Sequence, residues 1–352
     1  MLAAVAVAFA LLRPIAATDW LSLIDWQTIG ALTGLLAITQ GIESSGVLQG
    51  LARALLARTT SARQLALALC AVAAVLSAMV TNDVSLFLLV PLTRELAAQA
   101  QLPLARLVAL EALAVNAGSA LTPIGNPQNL YLWHQSGLSF AHFTAMMGPS
   151  VGVMLVLLAT AIVLTMPGAP VSIGPTQDRA STQPRLLALS GALFVGFVVA
   201  LEMHMWAPAL AVVLLAYALS ARSVLLRLDW ALLATFALMF VDLRQLVNLP
   251  FVIDLMGRLP LDQPLPAYLV AISTSQLISN VPAALLLADN IKDVSVLAMG
   301  VNVGGFGFVL GSMANLIALR LARAPGGLAE FHRISIPFLV VCAILVAGLC
   351  LH

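Results

Sequence analysis

The sequence predicts an all-α polytopic membrane protein made of two inverted repeats, each with a re-entrant hairpin and a broken transmembrane helix. Three observations predict it. Of 352 residues, 61% are hydrophobic and 9% are Asp, Glu, Lys or Arg, against roughly 25% charged residues in a soluble domain. Apolar stretches of about bilayer-crossing length follow one another with few charges between them. Polar or Gly/Pro-rich knots interrupt four of these stretches and recur in the same order in both halves. A mean hydropathy of +1.04 leaves too little polar surface for a nucleic-acid binder, a secreted disulfide scaffold or most cytosolic enzymes.

The first apolar stretch, 2–17, follows Met1 with no basic segment, and no small-residue cleavage site precedes Trp20. It is therefore expected to stay rather than be removed. Further spans fall near 26–42, 105–134, 144–166, 185–201, 206–220, 229–247, 294–322 and 331–352. The segments 62–100 and 264–291 are interrupted by Thr81-Asn82-Asp83 and by Ser279-Asn280-Val281-Pro282. Each is two crossings or one hairpin. The hairpin is preferred because the knots expose backbone groups that lipid cannot satisfy. Cys70, Cys342 and Cys350 lie in apolar stretches at spacings that fit neither zinc nor a disulfide framework.

Charge placement predicts the orientation. With both interrupted segments returning to the face they left, Arg53, Arg58, Arg63, Arg94, Arg106, Arg179, Arg185, Arg222, Arg227, Arg320, Arg323 and Arg333 share one face. Arg244, Arg258 and Lys292 lie on the other, with Arg13 near the end of the first span. The positive-inside rule puts the N-terminus in the cytoplasm and the C-terminus outside.

The repeats are read from three recurrences. Asp25-Trp26 recurs as Asp229-Trp230, each opening a span followed by a weaker amphipathic stretch, 43–60 and 248–260. The two interrupted segments follow, with Asn82 and Asn280 at equivalent places. Asn116-Ala117-Gly118 through Gly125 to Asn129-Leu130 then aligns without a gap on Asn302-Val303-Gly304 through Gly311 to Asn315-Leu316. An odd number of crossings separates the copies, so their orientations are opposite, as in secondary transporters. The expected division is a first repeat at 1–166, a cytoplasmic linker at 167–184 and the inverted repeat at 185–352.

Chemistry is expected where the spans break. Pro123, Gly125 and Pro127 cannot continue a helix, and unwound backbone at membrane depth survives only in protein or beside a wet cavity. The break brings Thr122, Gly125, Asn126, Gln128 and Asn129 as neutral ligands. In the second copy Gly304, Gly305, Gly307 and Gly311 precede Ser312 and Asn315. Simple packing kinks are the alternative, but they leave the amides unexplained. A hairpin tip presents a helix N-terminus that favours an anion, with Thr81, Asn82, Ser279 and Asn280 able to coordinate a cation as well. Asp83 is a carboxylate at membrane depth, expected as a proton carrier or sodium ligand or, failing that, a helix cap. Glu111 is the second coupling candidate, or else a partner for Arg106. Asp242 and Arg244 are expected to pair. No catalytic triad, metal cluster or phosphate loop is present in the sequence, so no enzyme activity and no cofactor beyond a sodium ion is expected.

Thr-Asn-Asp-Val at 81–84, Asn-Ala-Gly-Ser-Ala-Leu-Thr-Pro-Ile-Gly-Asn-Pro-Gln-Asn at 116–129, Ser-Asn-Val-Pro at 279–282 and Asn-Val-Gly-Gly-Phe-Gly at 302–307 resemble the ion transporter superfamily. Within it the chain is most similar to small bacterial YbiR-type permeases with a citrate-transporter-like domain. Relatives include arsenite permeases, NhaD-type sodium/proton antiporters and sodium/dicarboxylate symporters. The resemblance implies an inner-membrane homodimer with a scaffold and a mobile transport domain, working by an elevator movement. In the dicarboxylate branch each tip reads Ser-Asn-Thr. Here Asp83 and Val281 stand where those threonines would be, and an Asn-Asp tip is similar to the arsenite and antiporter branches. The expectation is a secondary active transporter of a small anion or oxyanion, coupled to protons or sodium. A cation/proton antiporter, an arsenite efflux permease and a channel are the alternatives.

Overall fold

The computed structural model describes residues 21–47, 59–100, 102–170, 183–247 and 249–351. The stretch 2–17, most of 43–60 and most of the linker 167–184 lie outside the described residues. Among those described the chain is helical, with one isolated bridge between Ser61 and Pro170. In chain order the helices are α1 Trp26–Ser44, α2 Ala62–Met79, α3 Asn82–Ala100, α4 Leu104–Ser119, α5 Pro127–Ser136, α6 Phe140–Thr165, α7 Pro184–Glu202 and α8 Trp206–Ser220. They continue with α9 Arg222–Leu226, α10 Trp230–Val247, α11 Pro250–Arg258, α12 Pro264–Ile278, α13 Asn280–Leu287, α14 Val294–Val303, α15 Met313–Ala322 and α16 Gly327–Cys350.

By length and composition α2, α6, α7 and α16 could each cross a membrane alone. Their outward faces are apolar, as at Leu164, Val195 and Ile344. Two helices start earlier than hydropathy predicts. Ser139 accepts from His142 N at 3.2 Å and starts α6 at Phe140. Gly326, at φ 70°, turns the chain into α16, whose first turns carry the polar residues Glu330, His332 and Arg333. The recurring Asp-Trp pair is a helix start in both copies. Asp25 Oδ1 accepts from Thr28 N at 3.1 Å, and Asp229 Oδ1 accepts from Leu232 N at 2.9 Å.

All four expected breaks occur, more sharply than the polar knots suggest. Asn82 and Asp83 already belong to α3, so Val80 and Thr81 alone turn the first interrupted segment. In the second, Ser279 alone separates α12 from α13, at φ 76° and ψ 155°. That region is close to glycine-only and costs about 1–3 kcal/mol for a residue with a side chain. Pro282 sits in the first turn of α13, where a missing N–H breaks no helical bond. Pro127 opens α5 in the same way, with extended Asn126 as its cap.

The helices pack in two groups. In one, α7, α8, α9 and α10 surround α1, where Gly34 and Gly41 let Phe197, and Tyr217 with Ser190, reach the α1 backbone. In the other, α2 lies along α4 and α12 lies along α14. The halves of the broken spans interlock: α15 rests on α4 and α3, while α5 rests on α14 and α13. The main contacts between groups are those of α1 with α3 and α5, and of α10 with α13.

Candidate functional site

The two breaks meet inside the second group. Asn302, the last residue but one of α14, joins them. Its Nδ2 donates to Asn129 Oδ1 at 2.7 Å and to Ala298 O at 2.8 Å. Its Oδ1 accepts from Asn126 Nδ2 at 3.0 Å and from Gln128 Nε2 at 3.4 Å. All four hydrogen-bonding valences of this buried amide are thereby filled.

The bond recurs with the copies exchanged. Asn116, which aligns with Asn302, donates from Nδ2 to Asn315 Oδ1 at 2.8 Å, and Asn315 aligns with Asn129. The second bonds correspond too. Asn315 Nδ2 donates to Gly305 O at 2.9 Å, and Asn129 Nδ2 donates to the aligned Ser119 O at 3.4 Å, besides Ala120 O at 3.0 Å and Thr122 O at 3.1 Å. Asn126 Oδ1 caps α5 through Asn129 N at 2.9 Å, and the aligned Ser312 caps α15 through Ala314 N at 3.3 Å.

The turns of the two interrupted segments join the same cluster. Asn82 N donates to Gly125 O at 3.1 Å, and Thr122 Oγ1 donates to Ala78 O at 2.6 Å. Asn280 reaches the other break: a Cβ on Gly305 would stand 3.2 Å from Asn280 Nδ2 and 3.6 Å from Asn116 Oδ1. Ser279 Oγ and Asn280 Oδ1 are 3.4 Å apart. Gly125 and Gly311 are required for closeness, because a Cβ would overlap Ser119 O in one case and stand 2.6 Å from Gly304 O in the other.

Most of the expected ligand atoms are therefore engaged with one another. Among the hydroxyl and amide ligands expected at the breaks and tips, two buried acceptors have no hydrogen-bond partner, Thr81 Oγ1 and Gln128 Oε1. They sit at the first tip and the start of α5, where a hydroxyl and an amide oxygen can take a cation or the hydroxyl of an oxyacid. The Asp83 backbone is the second residue of α3, and its side chain lies outside the described residues. Glu111 is fully buried on the same helix as Asn116 and Ser119, five and eight residues before them. Arg106 pairs instead with Glu330 Oε1 at 2.6 Å and donates to Thr165 O at 2.8 Å. Asp242 does not pair with Arg244; both its carboxyl oxygens are buried without a hydrogen-bond partner.

Sequence reasoning used Asn116 and Asn302 as repeat markers and did not count them as site residues. It missed Gln276 altogether, whose signal was a lone amide in an apolar hairpin arm. Gln276 Nε2 donates to Gly304 O at 2.5 Å and Phe306 O at 2.7 Å, while Oε1 accepts from Phe308 N at 2.7 Å. Ser335 Oγ and His332 Nε2, both on α16, accept from Gly307 N at 2.8 Å and Val309 N at 3.0 Å. The unwound second break is thus held from two sides. Each buried polar group stripped of its partner costs about 1–3 kcal/mol. Gln276→Leu, which strips the carbonyls of Gly304 and Phe306 and the N–H of the more exposed Phe308, is expected to lower the thermal midpoint in detergent far more than Gln64→Leu at the exposed start of α2. Equal midpoints would show that the clamp carries no weight.

With this geometry in place, the comparisons decide the family. The citrate transporter family matches residues 1–302. The chain belongs to the citrate transporter family. Inner membrane protein YbiR of Escherichia coli is 42% identical over 332 residues, covering 94% of this chain and 89% of that protein. An uncharacterised transporter of Methanocaldococcus jannaschii is 30% identical over 304 residues, covering 86% of this chain and 82% of its own length. Silicon efflux transporter LSI3 of Oryza sativa is 36% identical over 129 residues, covering 37% of this chain and 27% of that protein. This citrate transporter family member is a multi-pass membrane transporter and not an enzyme.

Proposed function

We propose that the protein is a secondary active transporter of the inner membrane, moving a small anion or oxyanion with protons or sodium. Two inverted repeats, 1–166 and 185–352 joined by a cytoplasmic linker, form a homodimer-forming scaffold and a transport unit. The observation that carries this reading is the reciprocal pair of bonds, Asn116 to Asn315 and Asn302 to Asn129. A two-fold relation between the copies explains why one bond maps on the other, and opposed copies are the plan of alternating-access carriers. The tips of 62–100 and 264–291 lie beside breaks in the middle of two spans, which supports re-entrant hairpins. At about 1.5 Å per residue, the 8 residues of α13 are also far too short to cross a hydrocarbon core of about 30 Å. The two helix groups, with few contacts between them, support a transport unit of α2–α6 and α12–α16 that moves against α1 and α7–α10.

A second reading is efflux of a neutral oxyacid such as arsenite. It is favoured by the chemistry of the cluster, whose bonds among the described residues run between amides, hydroxyls and backbone groups. The test is purified protein in liposomes with citrate, succinate, sulfate or arsenite, under separately imposed proton and sodium gradients. The proposal expects one substrate to accumulate under one of the gradients. Dissipative flux with no response to either gradient would make the protein a channel, and sodium/proton exchange with no substrate would make it an antiporter.

A further inference from the structure

We infer that the Glu111–Thr93 pair, at the interface between α4 and the outgoing hairpin arm α3, is a proton-binding site that is loaded in this state. The inference rests on the transporter reading and names the ion and the group that deepen it. Glu111 is 0% exposed, in the middle of α4, with α2, α3, α6, α15 and α16 packed around that helix. Its Oε1 accepts from Thr93 Oγ1, and its Oε2 is buried with no hydrogen-bond partner. Among the described residues the carboxyl therefore has one neutral donor and no cationic side chain paired with it.

The groups on the surrounding elements leave it so. Arg106, earlier on α4, is taken by Glu330 and Thr165 O, and Arg333 also turns to Glu330, at 3.6 Å. On α2, Arg63 in the first turn donates to Met166 O at 3.2 Å and Cys70 is a buried thiol. On α3, Arg94 and Glu95 flank Thr93 in sequence but are exposed, as is Arg320 on α15. On α16, His332 accepts from Val309 N and Cys342 is buried. His142 lies at the opposite end of α6 from Thr165. An ionised carboxylate in such a place costs several kcal/mol, so the packing holds the neutral acid.

Release follows from where the pair sits. Thr93 is on the arm whose first residue, Asn82, bonds Gly125 O in the first break. Any displacement of α3 along α4 that opens the tip also separates Thr93 from Glu111 and admits water to the carboxyl. The step is one proton leaving the Glu111 carboxyl oxygen for water on the open face, with the carboxylate left behind; no other bond forms or breaks.

Infrared difference spectroscopy on the reconstituted full chain reads the proton directly. The expected result is a carboxylic-acid carbonyl band that titrates across the physiological pH range and is missing in Glu111→Gln. Thr93→Val should move its midpoint, and Asp83→Asn should leave it in place. In proteoliposomes, Glu111→Gln is expected to lose accumulation driven by a proton gradient and to show exchange that no longer varies with pH. A band that is absent, that survives Glu111→Gln, or that never titrates overturns the site. Accumulation driven by sodium alone overturns proton coupling while the transporter reading stands. Absence of any gradient-driven flux overturns the transporter reading, and a titrating Glu111 band would then still uphold the proton-binding site.

Discussion

Asn302→Asp is expected to abolish transport and to lower the thermal midpoint strongly. The substitution keeps shape and replaces the amide nitrogen by an oxygen. That nitrogen now donates to Asn129 Oδ1 and Ala298 O, at 2.7 and 2.8 Å. An ionised Asp sets an acceptor against two acceptors and has no donor to offer. Asn129 Oδ1 loses its partner at about 1–3 kcal/mol, Ala298 O keeps only its helical bond, and a buried charge is added without a counter-ion. Asn116→Asp removes the corresponding bond to Asn315 and is expected to act in the same direction with smaller size, because the structure gives its Nδ2 one partner in place of two. A thermal melt and a proteoliposome assay on the two variants check this. Wild-type behaviour of Asn302→Asp would mean that the amides do not hold the breaks together.

The second large effect is expected where α2 crosses α4 and where α12 crosses α14. A Cβ at Gly118 would overlap the carbonyl oxygen and Cα of Ala74, which are backbone atoms of α2. Gly118→Ala must therefore push α4 off α2, and no side-chain substitution can relieve it. At the aligned Gly304 a Cβ would instead stand 2.5 Å from Ser275 Cβ and 2.8 Å from its Oγ. Gly304→Ala is expected to be destabilising alone and partly rescued by Ser275→Gly, since the obstacle is a side chain. Overpacking of this kind costs typically 1–3 kcal/mol, or roughly 5- to 150-fold in the folded population. Stability and transport of Gly118→Ala, Gly304→Ala and the Gly304→Ala/Ser275→Gly double variant would be measured together. Equal rescue by Ser275→Gly and by nothing at all would remove the argument.

These two predictions separate what is local from what is not. The helix starts at Asp25, Asp229, Asn126 and Ser312, and the interruptions at 80–81, 120–126, 279 and 304–312, depend on residues within a turn of one another. Proline lacks a donor, glycine permits close approach, and a short polar side chain caps the helix that follows. Such features are legible along the chain, as was the alignment of the 116–130 and 302–316 motifs.

The partners of the amides are not legible in that way. Asn302 meets Asn129, and Asn116 meets Asn315, only because two breaks distant in sequence are brought to one place by the interlocking of α5 with α14 and α15 with α4. A pattern of polar residues in apolar spans says that each must find a partner, since lipid offers none. It does not say which. Arg106 looked toward Glu111 on its own helix, yet the fold gives Arg106 to Glu330 on α16 and Glu111 to Thr93 on α3. Gln276 was silent until the second break folded back along α12. The sequence alone determined that the chain lives in lipid, where its helices must break and which polar atoms could not stay unpaired. The tertiary structure decided which of those atoms satisfy one another and which, as at Thr81, Gln128, Glu111 and Asp242, remain open, because hydrogen bonds are short-ranged and only packing sets the distances.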